Sequence, residues 1–196
     1  MQNFKEPEYY FNKLGLTEEF KNLSDELRSI LFSNLELKSY HRNEMILAPQ
    51  KVCRHIYFVL EGASRNMIVR NGKDITTALT FEGQVTLVVD SFLSARPSFE
   101  GIQALEDTLC YRLEHDAYNY LLNNYLEFNI VTNRIRNDFF REMSHTLNSL
   151  RGLSALERYE FCIQNKPLFV QRVPVRYLAS FLGMSHETLS RMRSLV

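Results

Sequence analysis

The sequence has no apolar run near the ~20 residues that crossing a bilayer takes. Its first residues, Met1-Gln2-Asn3-Phe4-Lys5-Glu6, lack a basic stretch followed by an apolar one. A cytoplasmic protein with no membrane partner is therefore expected. Cysteine is scarce: Cys53, Cys110 and Cys162 stand far apart, an odd number with no CxxC pair. This argues against a disulfide framework and gives no support to a cysteine-held zinc or iron–sulfur site. Ordinary, mostly buried thiols are expected instead. There is no GxSxG, no Walker glycine–lysine loop and no HExxH, and the carboxylates are scattered. No catalysis, metal or cofactor is expected, and there are no internal repeats.

Net charge is zero over 196 residues, yet the charge is uneven. From Arg151 onward seven basic residues (Arg151, Arg158, Lys166, Arg172, Arg176, Arg191, Arg193) face three acidic ones (Glu157, Glu160, Glu187), so this end carries +4 and the remainder −4. A basic end on a neutral chain points to a polyanion partner. The 45% apolar content is enough to build a core.

Hydrophobic periodicity divides the chain into three stretches. Leu16 to Leu35 reads as helix, with Thr17 as cap, Glu18 and Glu19 in the first turn, and Phe20, Leu23, Leu27, Ile30 and Leu31 at helical spacing. From Leu35 to Glu114 short strands are expected: 35–38, 56–60, 66–70, 74–81, 84–89, 99–104 and 108–113. Asn71-Gly72 makes a tight hairpin between the third and fourth. Such spacing suits a sandwich or barrel. Beyond His115 the chain is helical again. After a short helix over 116–124, Phe128, Val131, Ile135, Phe139, Met143, Leu147 and Leu150 form one apolar stripe. The stripe either packs on its own β domain or forms a dimer seam, and a helix of ~37 Å is longer than self-coverage needs. Gly152 is a candidate hinge. Ser154 with Glu157 looks like a capping box for a helix through Cys162. Pro167 stops that helix, and 168–173 could be a strand.

The sharpest signal lies in 175–192. Ala179 is small where two helices would come closest, Gly183 suits a turn, and Leu178, Leu182, Met184, Leu189 and Met192 supply an apolar seam. This is the pattern of a helix-turn-helix. Ser185 caps its second helix, whose free side exposes His186, Glu187, Ser190, Arg191 and Ser194. His186, Glu187 and Arg191 are the expected base readers: Arg191 can pair with guanine and Glu187 can accept from cytosine. Arg176, Ser185, Thr188, Ser190 and Arg193 suit phosphates.

With these residues in place the chain resembles the Crp/Fnr family of bacterial regulators over nearly its whole length. Ser185, Glu187, Thr188, Leu189 and Arg191 match the family's recognition-helix motif, and Tyr57-Phe58-Val59-Leu60-Glu61-Gly62 is similar to its β-roll signature. The resemblance implies an α+β protein. An N-terminal antiparallel β-roll of jelly-roll, cyclic-nucleotide-binding-like type with flanking helices would occupy 1–124, a long dimerisation helix 125–150, and a DNA-binding domain 151–196. It implies a homodimer on two-fold symmetric double-stranded DNA. RNA polymerase and a small apolar effector are further candidate partners.

Two departures from the family are expected. Its cyclic-nucleotide cassette has a Gly-Glu pair and an Arg-Ser/Thr-Ala triplet; here Leu87-Val88 and Ser98-Phe99-Glu100 stand there, and from Gln84 to Tyr111 one basic residue, Arg96, faces four acids, Asp90, Glu100, Glu106 and Asp107. The chain is therefore expected to lack the cassette and not to bind cyclic AMP, and Leu87, Val89, Phe92 and Phe99 would line an apolar effector pocket or simply fill the roll. The strands that usually follow the recognition helix are also missing before Val196, so the wing is absent or truncated. The competing reading is a ligand-binding or protein-interaction module whose helix-turn-helix is vestigial.

Overall fold

The computed structural model describes Tyr9 and residues 22–195. Helix α1 (Asp25–Asn34) starts where the Ser24 hydroxyl accepts from the Leu27 N–H at 3.3 Å, with Asp25 and Glu26 opposing the helix dipole. The described part of the helix expected over 16–35 thus begins at Asp25, with Ser24 as its cap. Thr17 and Phe20 lie outside the described residues.

Two four-stranded antiparallel sheets follow. One has the order β1 (Leu35–Tyr40), β8 (Thr108–Glu114), β3 (His55–Glu61), β6 (Val85–Thr86). The other has the order β2 (Met45–Leu47), β7 (Glu100–Ala104), β4 (Ala63–Arg70), β5 (Lys73–Phe81), so β5 is an edge. The β4–β5 hairpin closes at Arg70↔Lys73 through Asn71 (φ 52°) and Gly72 (φ 73°). Positive φ at both loop residues gives a turn whose twist matches the strands. The strand expected over 84–89 is cut to Val85–Thr86. The chain then leaves the sheet as α2 (Val89–Ser94).

The first core fills the space between the sheets and is closed by α1, α3 (His115–Asn124) and the start of α4 (Leu126–Gly152). At 27 residues α4 is ~40 Å long, and Gly152, the expected hinge, is its last residue, directly before the break at Leu153 and Ser154. No described helix is long and apolar enough to cross a membrane. Then come α5 (Ala155–Asn165), α6 (Pro167–Arg172), α7 (Val175–Phe181) and α8 (His186–Arg193). The strand expected over 168–173 is a helical turn instead, because Pro167 opens a helix at N1 as readily as it ends one.

A second core joins this helical head to the roll. Ala63, Leu79, Phe81 and Leu105 on the outer face of the second sheet meet Tyr159, Cys162, Phe169, Tyr177, Leu178 and Leu189. Strand β4 shows the effect: Ala63 to Met67 are all buried, where a half-covered strand would alternate.

Candidate nucleic-acid interface

Helix α5 begins with the expected capping box. The Ser154 hydroxyl accepts from the Glu157 N–H at 3.4 Å, and the Glu157 carboxylate accepts from the Ser154 N–H at 2.7 Å. Its buried face, Tyr159 and Cys162, is the floor on which α7 and α8 cross. Pro174 sets the entry to α7, and Leu178, Ala179 and Leu182 point inward. Gly183 makes the turn at φ 65°; a Cβ there would lie 2.9 Å from Nη1 of Arg158. That guanidinium donates to the Leu182 carbonyl at 2.6 Å and so satisfies a helix-end acceptor. The glycine is required for its left-handed backbone, since the atoms a Cβ would meet are movable side-chain ends.

Helix α8 is capped by Ser185, whose hydroxyl accepts from the Thr188 N–H at 3.1 Å. Leu189 is fully buried and anchors the helix. The opposite face is open: His186, Glu187, Ser190 and Arg191 are all exposed, one turn apart on one helix. The three expected base readers therefore share a face and are free of the protein interior. A hydrogen bond from the Ser185 side chain holds the Glu187 carboxyl below the usual carboxylate range, so it is an anionic acceptor at neutral pH. Of the expected phosphate contacts, Ser185 and Thr188 are spent partly on the cap, Arg193 is exposed, and Arg176 stands on α7 with its guanidinium 4.3 Å from the Tyr177 ring centroid.

The four residues expected to line an effector pocket or to fill the roll do not share one environment. Phe92 is buried in the first core and Leu87 packs against that core, but Val89 is exposed and Phe99 is 78% exposed. Val89 is the first residue of α2 and stays exposed although Phe92, three residues on, is buried, and Phe99 lies before β7 begins at Glu100, outside the sheet register. A cavity of about 320 Å³ lies elsewhere, between α4 and the head, walled by Leu150, Phe161, Phe169, Phe181 and Leu182. Among the described residues, no three His, Cys, Asp or Glu side chains stand together to hold a metal. All three thiols are buried; burial pushes Cys110 up to about 12 and Cys162 to about 11, so neither is a nucleophile near neutral pH.

The seven-residue stripe on α4 splits in two. Phe128 and Val131 are buried in their own roll and Ile135 is half-buried against it, so these three cannot serve a dimer seam. Phe139, Met143, Leu147 and Leu150 are exposed. The sequence reading missed three exposed apolar residues on the same helix: Leu126 (77%), Ile130 (62%) and Phe140 (66%). Phe140, Met143, Leu147 and Leu150 are spaced three, four and three, the spacing of a coiled-coil seam.

Residues 37–125 match the profile of the cyclic nucleotide-binding domain. The match runs through the segment from Gly83 to Ala104. The expectation that the chain lacks the cyclic-nucleotide cassette is overturned by this match, which includes the segment where the cassette would stand. Comparison with curated protein sequences finds no match. Among solved structures the chain shares its fold with FixK2 from Bradyrhizobium japonicum (18% identity, TM-score 0.71, covering 82% of this chain and 83% of that one). It shares it also with the catabolite activator protein of Thermus thermophilus (22%, TM-score 0.55, 90% and 85%). A Eubacterium rectale protein assigned as a transcriptional regulator of the crp/fnr family is similar as well (16%, TM-score 0.70, 90% and 84%). The fold is therefore a cyclic-nucleotide-binding-type β-roll followed by a long helix and a helical head, in the arrangement of these solved structures.

Proposed function

We propose that this chain is a sequence-specific, DNA-binding transcription regulator of the Crp/Fnr type, acting as a homodimer. The observation that carries the reading is the open face of α8. His186, Glu187, Ser190 and Arg191 are presented outward from a helix whose other side is locked by Leu189 over a glycine turn. In this reading α7 and α8 are a helix-turn-helix; α8 enters the major groove, His186, Glu187 and Arg191 read bases, and Arg176, Ser190 and Arg193 touch phosphates. Two copies join through the C-terminal half of α4, with Phe140, Met143, Leu147 and Leu150 as seam and Phe139 flanking it. The roll receives a small-molecule signal and passes it to the head.

Selection of bound duplexes from a random pool, followed by Arg191→Ala, tests this. The variant loses ~1–3 kcal/mol of specific affinity and its preference relaxes at one base-pair position. A variant that keeps both affinity and preference overturns the assigned role.

A further inference from the structure

Arg172 ends α6, and only Val173 and Pro174 separate it from the first residue of α7. The proline ring restricts this short link, so a fixed Arg172 fixes where α7 begins. Its guanidinium is held by two carboxylates from two different turns of the roll. Nη1 and Nη2 donate to the two Glu82 oxygens, each at 2.8 Å. Nε and Nη2 donate to the two Glu106 oxygens at 3.0 and 2.6 Å. This uses the planar fork of arginine in full, which lysine cannot copy. The Phe81 ring lies 5.2 Å from the guanidinium and stacks on Phe169 of α6 at the same separation.

Glu82 is itself braced from behind. Its Oε1 accepts from the Gly62 N–H at 2.9 Å, so the cluster ties the turns after β3, β5 and β7 to the head. Burial pushes the Glu82 carboxyl up, but the hydrogen bonds from Arg172 and from backbone N–H groups, with the Arg172 charge, outweigh it and hold the group ionised below the usual range. Glu82 also directly precedes Gly83, whose left-handed turn (φ 80°) opens the segment leading into β6 and α2. A shift of that turn cannot leave Arg172 where it is.

A second anchor stands on the same sheet. Arg65 of β4, only 2% exposed, lies 3.6 Å from the Tyr177 ring centroid of α7. It is held by Asp74 through two 2.6 Å bonds, by Gln103 at 2.9 Å and by Thr76 at 3.1 Å. Beside it, the Ser180 hydroxyl of α7 accepts from the Thr76 N–H at 3.0 Å on the free edge of β5.

We infer that Arg172 is a positioning residue: clamped by Glu82 and Glu106, it couples the turn that opens the ligand-type segment of the roll to the orientation of the α7–α8 pair. Only the last step, from orientation to DNA affinity, rests on the proposed function.

The test uses the full chain with Arg172→Gln, Arg172→Lys and Glu82→Gln. The amide exchange rate at Thr76, whose N–H reaches across the joint, reports docking without DNA. In Arg172→Gln it should rise about tenfold while amides of β3 and β8 stay protected; the lysine and Glu82→Gln variants should fall between. Affinity for the selected duplex should drop on the order of tenfold, because two loosely held heads lose the effective concentration of a fixed pair. The slope against salt should stay unchanged, since no phosphate contact is removed. Unchanged Thr76 exchange would show that the clamp does not hold the joint. Faster exchange with unaltered DNA affinity would show that head orientation does not depend on it; either result overturns the inference. If the unaltered protein binds no duplex at all, the DNA reading fails, and Thr76 exchange alone decides whether Arg172 fixes the pair.

Discussion

The two halves of α4 carry apolar residues at almost the same spacing and meet opposite fates. In the first half Phe128 is buried, with its ring edge-to-face against Tyr118 at 5.8 Å, and the Thr132 hydroxyl turns back to the Phe128 carbonyl at 2.9 Å. In the second half Phe140, about three turns beyond Phe128, stands 66% exposed, and Phe139, Met143, Leu147 and Leu150 accompany it. The helix outruns the roll that covers its start. Periodicity tells which residues share a face, but only the extent of the neighbouring domain tells what that face meets. The first half belongs to the stability of one chain, and the second half is left for another surface.

Replacing Phe128 with alanine should have the largest effect on a single chain, ~3–5 kcal/mol in urea unfolding, because a buried aromatic leaves a cavity. A loss below ~1 kcal/mol would erase the distinction between the halves. Ile135→Ala sits at the changeover and should cost ~1–2 kcal/mol, as a half-buried side chain would. Leu147→Glu should change the unfolding of the isolated chain by no more than ~0.5 kcal/mol, yet shift sedimentation from dimer to monomer. A variant that remains dimeric would place the subunit contact elsewhere. The smallest effect concerns how the head leans on the roll. The folded pKa of Glu82 is lowered, so its contribution is fully present above the unfolded value near ~4.3 and is lost as pH falls through the folded one. With the Glu82 side chain 33% exposed, the docking contribution is screened to under ~1 kcal/mol. Thr76 exchange measured from pH 7 down to pH 3, after correction for intrinsic rates, should stay flat and accelerate only at the acid end.

Local signals in the sequence proved readable because each is completed within a few residues. Asn71-Gly72 closes its hairpin alone, and Ser154 with Glu157 caps α5 without help from elsewhere. The Gly183 turn and the open face of α8 were legible for the same reason, since an eight-residue helix anchored by Leu189 has one inward side and one outward side. Failures came where the outcome depends on distant chain. Leu168 to Val173 has the apolar, β-branched look of a strand, yet it is a helical turn opened by Pro167, and its Phe169 packs on Phe81 from distant chain. Leu87, Val89, Phe92 and Phe99 were expected to line a pocket or fill the roll; Leu87 and Phe92 pack with the first core while Val89 and Phe99 stay exposed, an outcome set by packing from distant chain. The Arg172 cluster could not be read at all: its carboxylates lie 66 and 90 residues away in sequence, and nothing in the local pattern marks Arg172 out from other basic residues of the tail.

Among the described residues strand β5 has no strand neighbour on its outer side, and such borders invite pairing with any extended chain. Here the Ser180 hydroxyl answers the Thr76 amide and lies near the Asp74 carbonyl, so a helix does the work of a missing strand. Lifting the head would therefore expose more than apolar surface. It would bare an unpaired ribbon edge, and a population of lifted heads would be the one from which strand addition and self-association begin.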